Sequence, residues 1–323
     1  MKVRDLVAFA LVFATAACST MDTRGVESHL ITEVAESANP RILCIVAHPD
    51  DEIAFAGTLF KASTALGAVC DVLTITNGEA GYKYSTLAER LYGLELTDPE
   101  VGRKYLPEIR LRELKTGLSY LAVHKLYVLK ERDDGYSKDR FHVLDPKTTP
   151  WDLARVRAVL DRVLEDGHYD IVFTHLPSND THGHHQSATL LAIEAVSKIP
   201  VEKRPAILGA RGYTKSEPPK EAYAGLDGEA STLPKPNATP LEFDRTEPFS
   251  FQGKLNYKVV VNWAIAAHKS QGTMQLGMNR GDVEQYWPYA ATTDAAYSKA
   301  AAFFTDLKKP QFTAKDYPDA VVK

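Results

Sequence analysis

Apolar residues in this chain fall into two kinds of run that alternate. Short unbroken stretches rich in β-branched residues occur at Ile42-Leu43-Cys44-Ile45-Val46-Ala47, at 68–76, at Lys125-Leu126-Tyr127-Val128-Leu129 and at Asp170-Ile171-Val172-Phe173-Thr174-His175. Their length and composition suit strands buried on both faces of a sheet. Between them, apolar residues recur at helical spacing. Ile53, Ala54, Leu59, Ala62 and Leu66 form one such set; Ile109, Leu111, Leu114, Leu118 and Leu121 mark a helix over 107–122. Trp151, Leu153, Val156, Val159, Leu160, Val163 and Leu164 mark another over 150–165, and Ala188, Leu191, Ala192 and Ala195 a fourth over 186–195. This alternation predicts an α/β fold: a Rossmann-like, mostly parallel sheet with helices on both faces. Open sheets of this kind bind ligands at the carboxyl ends of their strands. The residues that follow each strand are therefore where chemistry is expected.

Outside those elements the pattern is weaker. Residues 82–105, rich in Tyr, Leu and charge, read as an active-site loop or short helices. Beyond Pro200 the stretch 214–250 is dense in Pro, Gly, Lys and Glu and reads as a long, partly irregular insertion. A helix is expected over 257–270 and another over 294–307. At the other end, Lys2 and Arg4 precede an apolar run, Leu6 to Ala17, too short to span a bilayer. Residues 1–18 are expected to be an export signal, 19–39 a tether and 40–323 a single domain. Thr15-Ala16-Ala17-Cys18-Ser19 resembles a bacterial lipoprotein processing site, in which Cys18 would carry the lipid; Thr15 departs from the usual aliphatic residue. Ordinary cleavage after Ala14-Thr15-Ala16 and retention of the segment are the other readings. The lipoprotein reading implies a membrane-anchored protein of the bacterial cell envelope. The formal charge is −4 and becomes one unit more negative without the leader, which weighs against nucleic acid as a partner. Cys44 and Cys70 fall in core strands and read as buried free thiols, although export leaves a disulfide between them open.

Two strand ends concentrate the polar chemistry. The first run leads into His48-Pro49-Asp50-Asp51-Glu52. Acids at a helix start commonly do no more than complement the helix dipole. A preceding His changes that reading, because His and Asp three positions apart across a tight turn can bind one Zn²⁺. The fourth run leads into His175-Leu176-Pro177-Ser178-Asn179-Asp180-Thr181-His182-Gly183-His184-His185, four histidines within eleven positions. His182 and His185 are expected in the turn before the helix, with His185 facing back across the sheet edge toward His48 and Asp51. The turn Asn77-Gly78-Glu79-Ala80-Gly81 closes the second strand, and its glycines would let backbone approach a ligand.

Taken together, His48-Pro49-Asp50-Asp51-Glu52, the turn at 76–81, Arg110 and Glu113 on the middle helix and His182-Gly183-His184-His185 resemble the PIG-L/LmbE-like family of N-acetylglucosaminyl deacetylases. The resemblance spans roughly 40–200, with a weaker echo in His268-Lys269-Ser270-Gln271. It implies that His48, Asp51 and His185 bind zinc, with iron as the alternative metal, and that Asp50 is the general base. It implies further that His182 stabilises the oxyanion or helps protonate the leaving group. The substrate would be an N-acetylated amino-sugar glycan or glycoconjugate. Arg110 would contact a substrate hydroxyl or pair with Glu113 on the helix surface; Asp134 would contact sugar hydroxyls or form the turn at Gly135. The family's second motif usually reads His-Pro-Asp-His, so Gly183-His184 is a departure. Either Asp180 replaces the missing Asp as the partner of His182, or His182 is tuned differently; His184 is the other candidate ligand in place of His185. A sugar-binding lipoprotein without activity and a zinc amidase or esterase acting on a non-sugar substrate are the competing functions. The retained Asp50 argues against a binding-only role.

Overall fold

A computed structural model describes residues 19–21, 26–34 and 40–310. Its first half comprises Ser19–Met21 (β1), Glu27–Leu30 (β2), Arg41–Val46 (β3), Ala56–Ala65 (α1), Val69–Thr76 (β4), Thr86–Tyr92 (α2), Pro99–Tyr120 (α3) and Lys125–Glu131 (β5). Arg140–Leu144 (α4), Leu153–Gly167 (α5), Ile171–His175 (β6), Gly183–Lys198 (α6) and Ala206–Tyr213 (β7) follow. The last part holds Leu241–Asp244 (β8), Pro248–Phe249 (β9), Leu255–Asn256 (β10), Lys258–Ala267 (α7), Val283–Pro288 (β11) and Asp294–Leu307 (α8).

Nine strands form one sheet in the order β1-β2-β5-β4-β3-β6-β7-β11-β8. The five central strands, β5-β4-β3-β6-β7, are mutually parallel, and the flanking strands run antiparallel. The chain leaves β3 to build β4 and β5 on one side, then returns to place β6 and β7 on the other. The order therefore reverses between β3 and β6, the switch point at whose carboxyl edge open sheets of this kind place their ligands. Side chains alternate as strand geometry requires. Ile42, Cys44 and Val46 point into a core shared with Leu59 of α1, Leu114 of α3, Val260 of α7 and Phe304 of α8. Leu43, Ile45 and Ala47 point into the opposite core with Val156 and Leu160 of α5 and Leu191 and Val196 of α6. Both faces being covered explains why these strands read as unbroken apolar runs.

Several boundaries differ from the sequence reading. Part of the expected tether is a strand: Glu27 to Leu30 pairs antiparallel with β5 and protects that edge. Its polar sequence concealed it, because pairing rather than apolar content defines the element. The middle helix begins at Pro99, not near 107; the Asp98 side chain accepts the amides of Glu100 and Val101, and Pro99 takes the first helical position, where no donor is needed. Pro107 lies inside that helix without ending it. The stretch 82–105 holds α2 between short turns, and the 214–250 insertion contains β8 and β9. Residues 1–18, including Cys18 and the expected export signal, lie outside the described residues. Among the described residues no helix is long and apolar enough to cross a membrane. Cys44 and Cys70 are buried free thiols.

Candidate active site

The turn after β3 is shaped by one carboxylate. Asp51 Oδ2 accepts the amides of Ala47 at 3.0 Å and His48 at 2.7 Å, folding the chain back on itself. Its other oxygen, Oδ1, is left facing His185 Nε2 at 3.1 Å. Thr76 pins the strand end by donating its amide and its hydroxyl to the Ala47 carbonyl, each at 2.8 Å. Further support comes from the segment after α7. His268 Nε2 meets Glu52 Oε1 at 2.6 Å with both side chains fully buried, and Gln271 Nε2 donates to the Pro49 carbonyl at 2.5 Å. Ser270 donates to Glu113 through its amide and its hydroxyl. The weak echo at 268–271 is thus a brace for the first motif.

The turn after β6 is built from imidazoles. His182 is the N-cap of α6, its Nδ1 accepting the His184 amide at 2.9 Å, so the ring proton sits on Nε2, which donates to the Gly135 carbonyl at 3.1 Å. His185 lies in the first turn of α6, not before it as expected, and stacks on His175 with ring centroids 4.7 Å apart. Gly183 accounts for part of the departure in the motif. Its amide donates to the Ser137 carbonyl at 2.6 Å, which proline cannot do, and a Cβ there would stand 2.9 Å from the backbone of Asp139. The loop after β5 is docked tightly against this position. Asp180 does not serve His182: it lies at the surface, paired with Lys138 at 2.8 Å. Burial first and then the neighbouring imidazoles push His182 down to about 3, which favours its neutral form.

His48 Nδ1 lies 3.0 Å from His185 Nε2 and 3.6 Å from Asp51 Oδ2. Donor atoms of His48, Asp51 and His185 fall within 4.8 Å of one another, as do those of His48, His182 and His184. The first set supplies two imidazole nitrogens and a carboxylate oxygen already oriented by two amides. That chemistry fits zinc or iron, and three protein donors leave a position for water or substrate. Burial opposes charge on His48, but its bond to Asp51 and the acids around it raise it to about 9; the site favours positive charge at this point. Burial alone would raise Asp51, yet the facing imidazoles of His185 and His175 hold it well below the usual carboxylate range. Asp50 behaves oppositely. Burial and then the adjacent Asp51 charge lift it to about 6, and among the described residues no side chain hydrogen-bonds to its carboxylate.

Arg110 is buried and does not pair with Glu113 on the helix surface; Glu113 is engaged by Ser270 and by the Tyr92 hydroxyl at 2.8 Å. The guanidinium instead donates to the Gly78 carbonyl beneath the turn after β4. A Cβ at Gly78 or Gly81 would collide with it, so these glycines admit Arg110 where a ligand was expected. Among the described residues its Nε has no hydrogen-bond partner. Asp134 uses its two oxygens on His184 Nε2 at 3.0 Å and His142 Nε2 at 2.8 Å, and it is Asp133 that accepts the Gly135 amide and forms the turn. Sequence reasoning assigned no role to His175, Asp133, His142 or Trp151, whose ring lies 5.2 Å from that of His184. The histidine count beside β6 was the one signal that could have included His175.

The fold and site define a class: an open α/β protein with a His-Asp-His cluster able to hold a cation at the switch point of its sheet, and an acid without a side-chain hydrogen bond beside it among the described residues. Residues 43–196 match the family described as PIG-L: GlcNAc-PI de-N-acetylase. The matched stretch, just under half of the chain, is similar to this family. It is 38% identical over 96 residues to a 1D-myo-inositol 2-acetamido-2-deoxy-alpha-D-glucopyranoside deacetylase of Corynebacterium urealyticum, a match covering 29% of this chain and 27% of that protein. It is 24% identical over 185 residues to a probable N-acetyl-alpha-D-glucosaminyl L-malate deacetylase 2 of Bacillus cereus, covering 57% of this chain and 71% of the relative. The chain thus spans about a quarter of the first relative and about seven-tenths of the second. Among solved structures, a deacetylase of the teicoplanin biosynthesis pathway aligns with a TM-score of 0.50 at 17% identity, over 77% of this chain and 97% of that one, and shares the fold.

Proposed function

We propose that the protein is a metal-dependent hydrolase that removes the N-acetyl group from an N-acetylglucosamine-type amino sugar or glycoconjugate, with zinc as its metal. The observation that carries this reading is the meeting of His48, Asp51 and His185 beside the unpaired Asp50. The similarity of residues 43–196 to the family and the relatives' names, both deacetylases of glucosaminyl compounds, support the choice of substrate. His48, Asp51 and His185 would hold the metal, which supplies Lewis acidity to polarise the acyl carbonyl and to make water a nucleophile near neutral pH. Asp50, raised to about 6, takes a proton from the attacking water and returns it to the leaving amine as the C–N bond breaks. His182, neutral with its proton on Nε2, turns that N–H from the Gly135 carbonyl to the developing oxyanion. Arg110, buried beneath the Gly78–Gly81 turn, supports that turn and places its positive charge near Asp50; in place of the substrate-hydroxyl contact that the family resemblance implied, we assign it this supporting role. We place the protein in the cell envelope, anchored through lipid on Cys18; mass analysis of the mature N-terminus tests this, and a chain starting at Ala17 without lipid rejects it.

The deciding experiment combines metal analysis with amine release from a panel of acetylated glycans. Stoichiometric zinc with release from a glucosaminyl substrate is the expected result. Zinc without release from any acyl sugar assigns a sugar-binding module instead, and release confined to non-sugar amides or esters assigns a different hydrolase.

A further inference from the structure

We infer that His184 and Asp134 form a positioning relay that fixes the proton of His48 on Nε2 and so presents Nδ1, with its lone pair, to the metal. The inference rests on the metal-hydrolase reading above. His48 Nε2, the ring nitrogen away from Asp51 and His185, lies 3.1 Å from His184 Nδ1. His184 Nε2 lies 3.0 Å from Asp134 Oδ1, and Asp134 Oδ2 lies 2.8 Å from His142 Nε2. A carboxylate only accepts, so the Nε2 proton of His184 points at Asp134. A neutral His184 then carries its lone pair on Nδ1 and accepts the Nε2–H of His48. Asp133 Oδ1 also faces His184 Nδ1, but at 3.7 Å it is beyond hydrogen-bond reach and it accepts the Gly135 amide at 3.0 Å. His184 has no freedom to turn: it is 1% exposed and lies against Trp151.

The same loop explains why the second motif departs from its family at two adjacent positions. Gly183 lets the backbone of Ser137 and Asp139 close against α6, and His184 reaches Asp134 from the neighbouring position. The loop after β5 is thereby drawn up to the metal ligand His48. Partners that hold a metal-bound histidine through its second nitrogen set both its orientation and its basicity, and losing one commonly weakens metal binding about 10–100-fold.

The test uses the full chain, with zinc affinity measured by competition and nitrogen NMR of the zinc-loaded protein reporting histidine tautomers. Asp134 is a quarter exposed, and thermal unfolding of each variant separates lost zinc affinity from lost folding. Asp134→Ala is expected to lower zinc affinity about 10–100-fold, and Asp134→Ala with His184→Ala to add little beyond the worse single variant, because the two act as one unit. His48 in the parent should show a protonated Nε2, with exchange broadening or loss of that signal in Asp134→Ala. Unchanged affinity and an unchanged His48 signal in Asp134→Ala, with turnover retained, overturn the relay and leave the hydrolase reading standing. A parent chain that binds no zinc overturns both.

Discussion

The turns after β3 and β6 bring their polar groups together at one sheet edge, but they are held in different ways. In the first, nearly every group is tied to something outside the reaction centre: Asp51 Oδ2 to two amides, Glu52 to His268, the Pro49 carbonyl to Gln271. Among the described residues of this turn, the Asp50 carboxylate is the one without a side-chain hydrogen bond. In the second, the histidines hold each other and the loop after β5: His185 stacks on His175, and His184 joins His48 to Asp134. The first turn is a rigid frame around one reactive group. The second is a set of rings whose order depends on the protons and cations between them. Apart from the proposed ligands His48 and Asp51, substitutions in the first frame should therefore act on stability or on a single chemical step, whereas those in the second should act on metal binding and transition-state contacts.

The sharpest break between the two comes from their reactive members. Asp50→Ala should keep its zinc and lose about 10²–10⁴-fold in kcat, while His185→Ala should lose the zinc itself. Metal content measured alongside turnover separates them, and an Asp50→Ala protein that loses metal but recovers activity in excess zinc would reverse the roles. His182→Ala should cost about 10²–10³-fold in kcat with metal retained, the size of effect found for one oxyanion donor. Next is the brace. His268→Ala leaves Glu52 buried without its partner and should destabilise the fold by about 3–5 kcal/mol in denaturant unfolding. Unaltered stability would mean that the 268–271 segment does not hold the first turn.

Smaller effects probe the loop after β5. Gly183→Ala pushes a Cβ against the Asp139 backbone and should cost about 1–3 kcal/mol, the usual range for overpacking, with thermal unfolding as the readout. Asp180→Ala should be the mildest. Its carboxylate is exposed and paired only with Lys138, so kcat and unfolding temperature should stay at parent values; a fall in kcat would show that it reaches His182 after all.

Much of this architecture is legible without coordinates. Strands buried on both faces leave unbroken apolar runs, which is why β3, β4, β5 and β6 could be read directly, and their ends located both halves of the site. β7 was hidden because Ala206, Gly209 and Ala210 carry little strand preference; pairing with β6 and β11 and the approach of the Tyr289 hydroxyl to Gly209 decide its conformation. β2 was hidden by its polar residues. At the site, spacing suggested that Arg110 and Glu113 would pair, because residues three apart share a helix face. Tertiary contacts separate them, sending Arg110 beneath Gly78 and Gly81 and Glu113 to Ser270. Asp133 and Asp134 are neighbours of identical type, and only the path of the loop tells the turn former from the partner of His184.

The strand order has a consequence for how this protein matures. His48 and His185 are 137 residues apart, and they meet only after β6 has paired in parallel with β3 across everything folded between them. Long-range parallel pairing is slow because loop-closure entropy is spent before any contact rewards it. A newly made or newly unfolded chain therefore lacks the complete His48, Asp51 and His185 set until that pairing forms. If the proposed zinc site is correct, tight zinc uptake during refolding would time the pairing of β3 with β6.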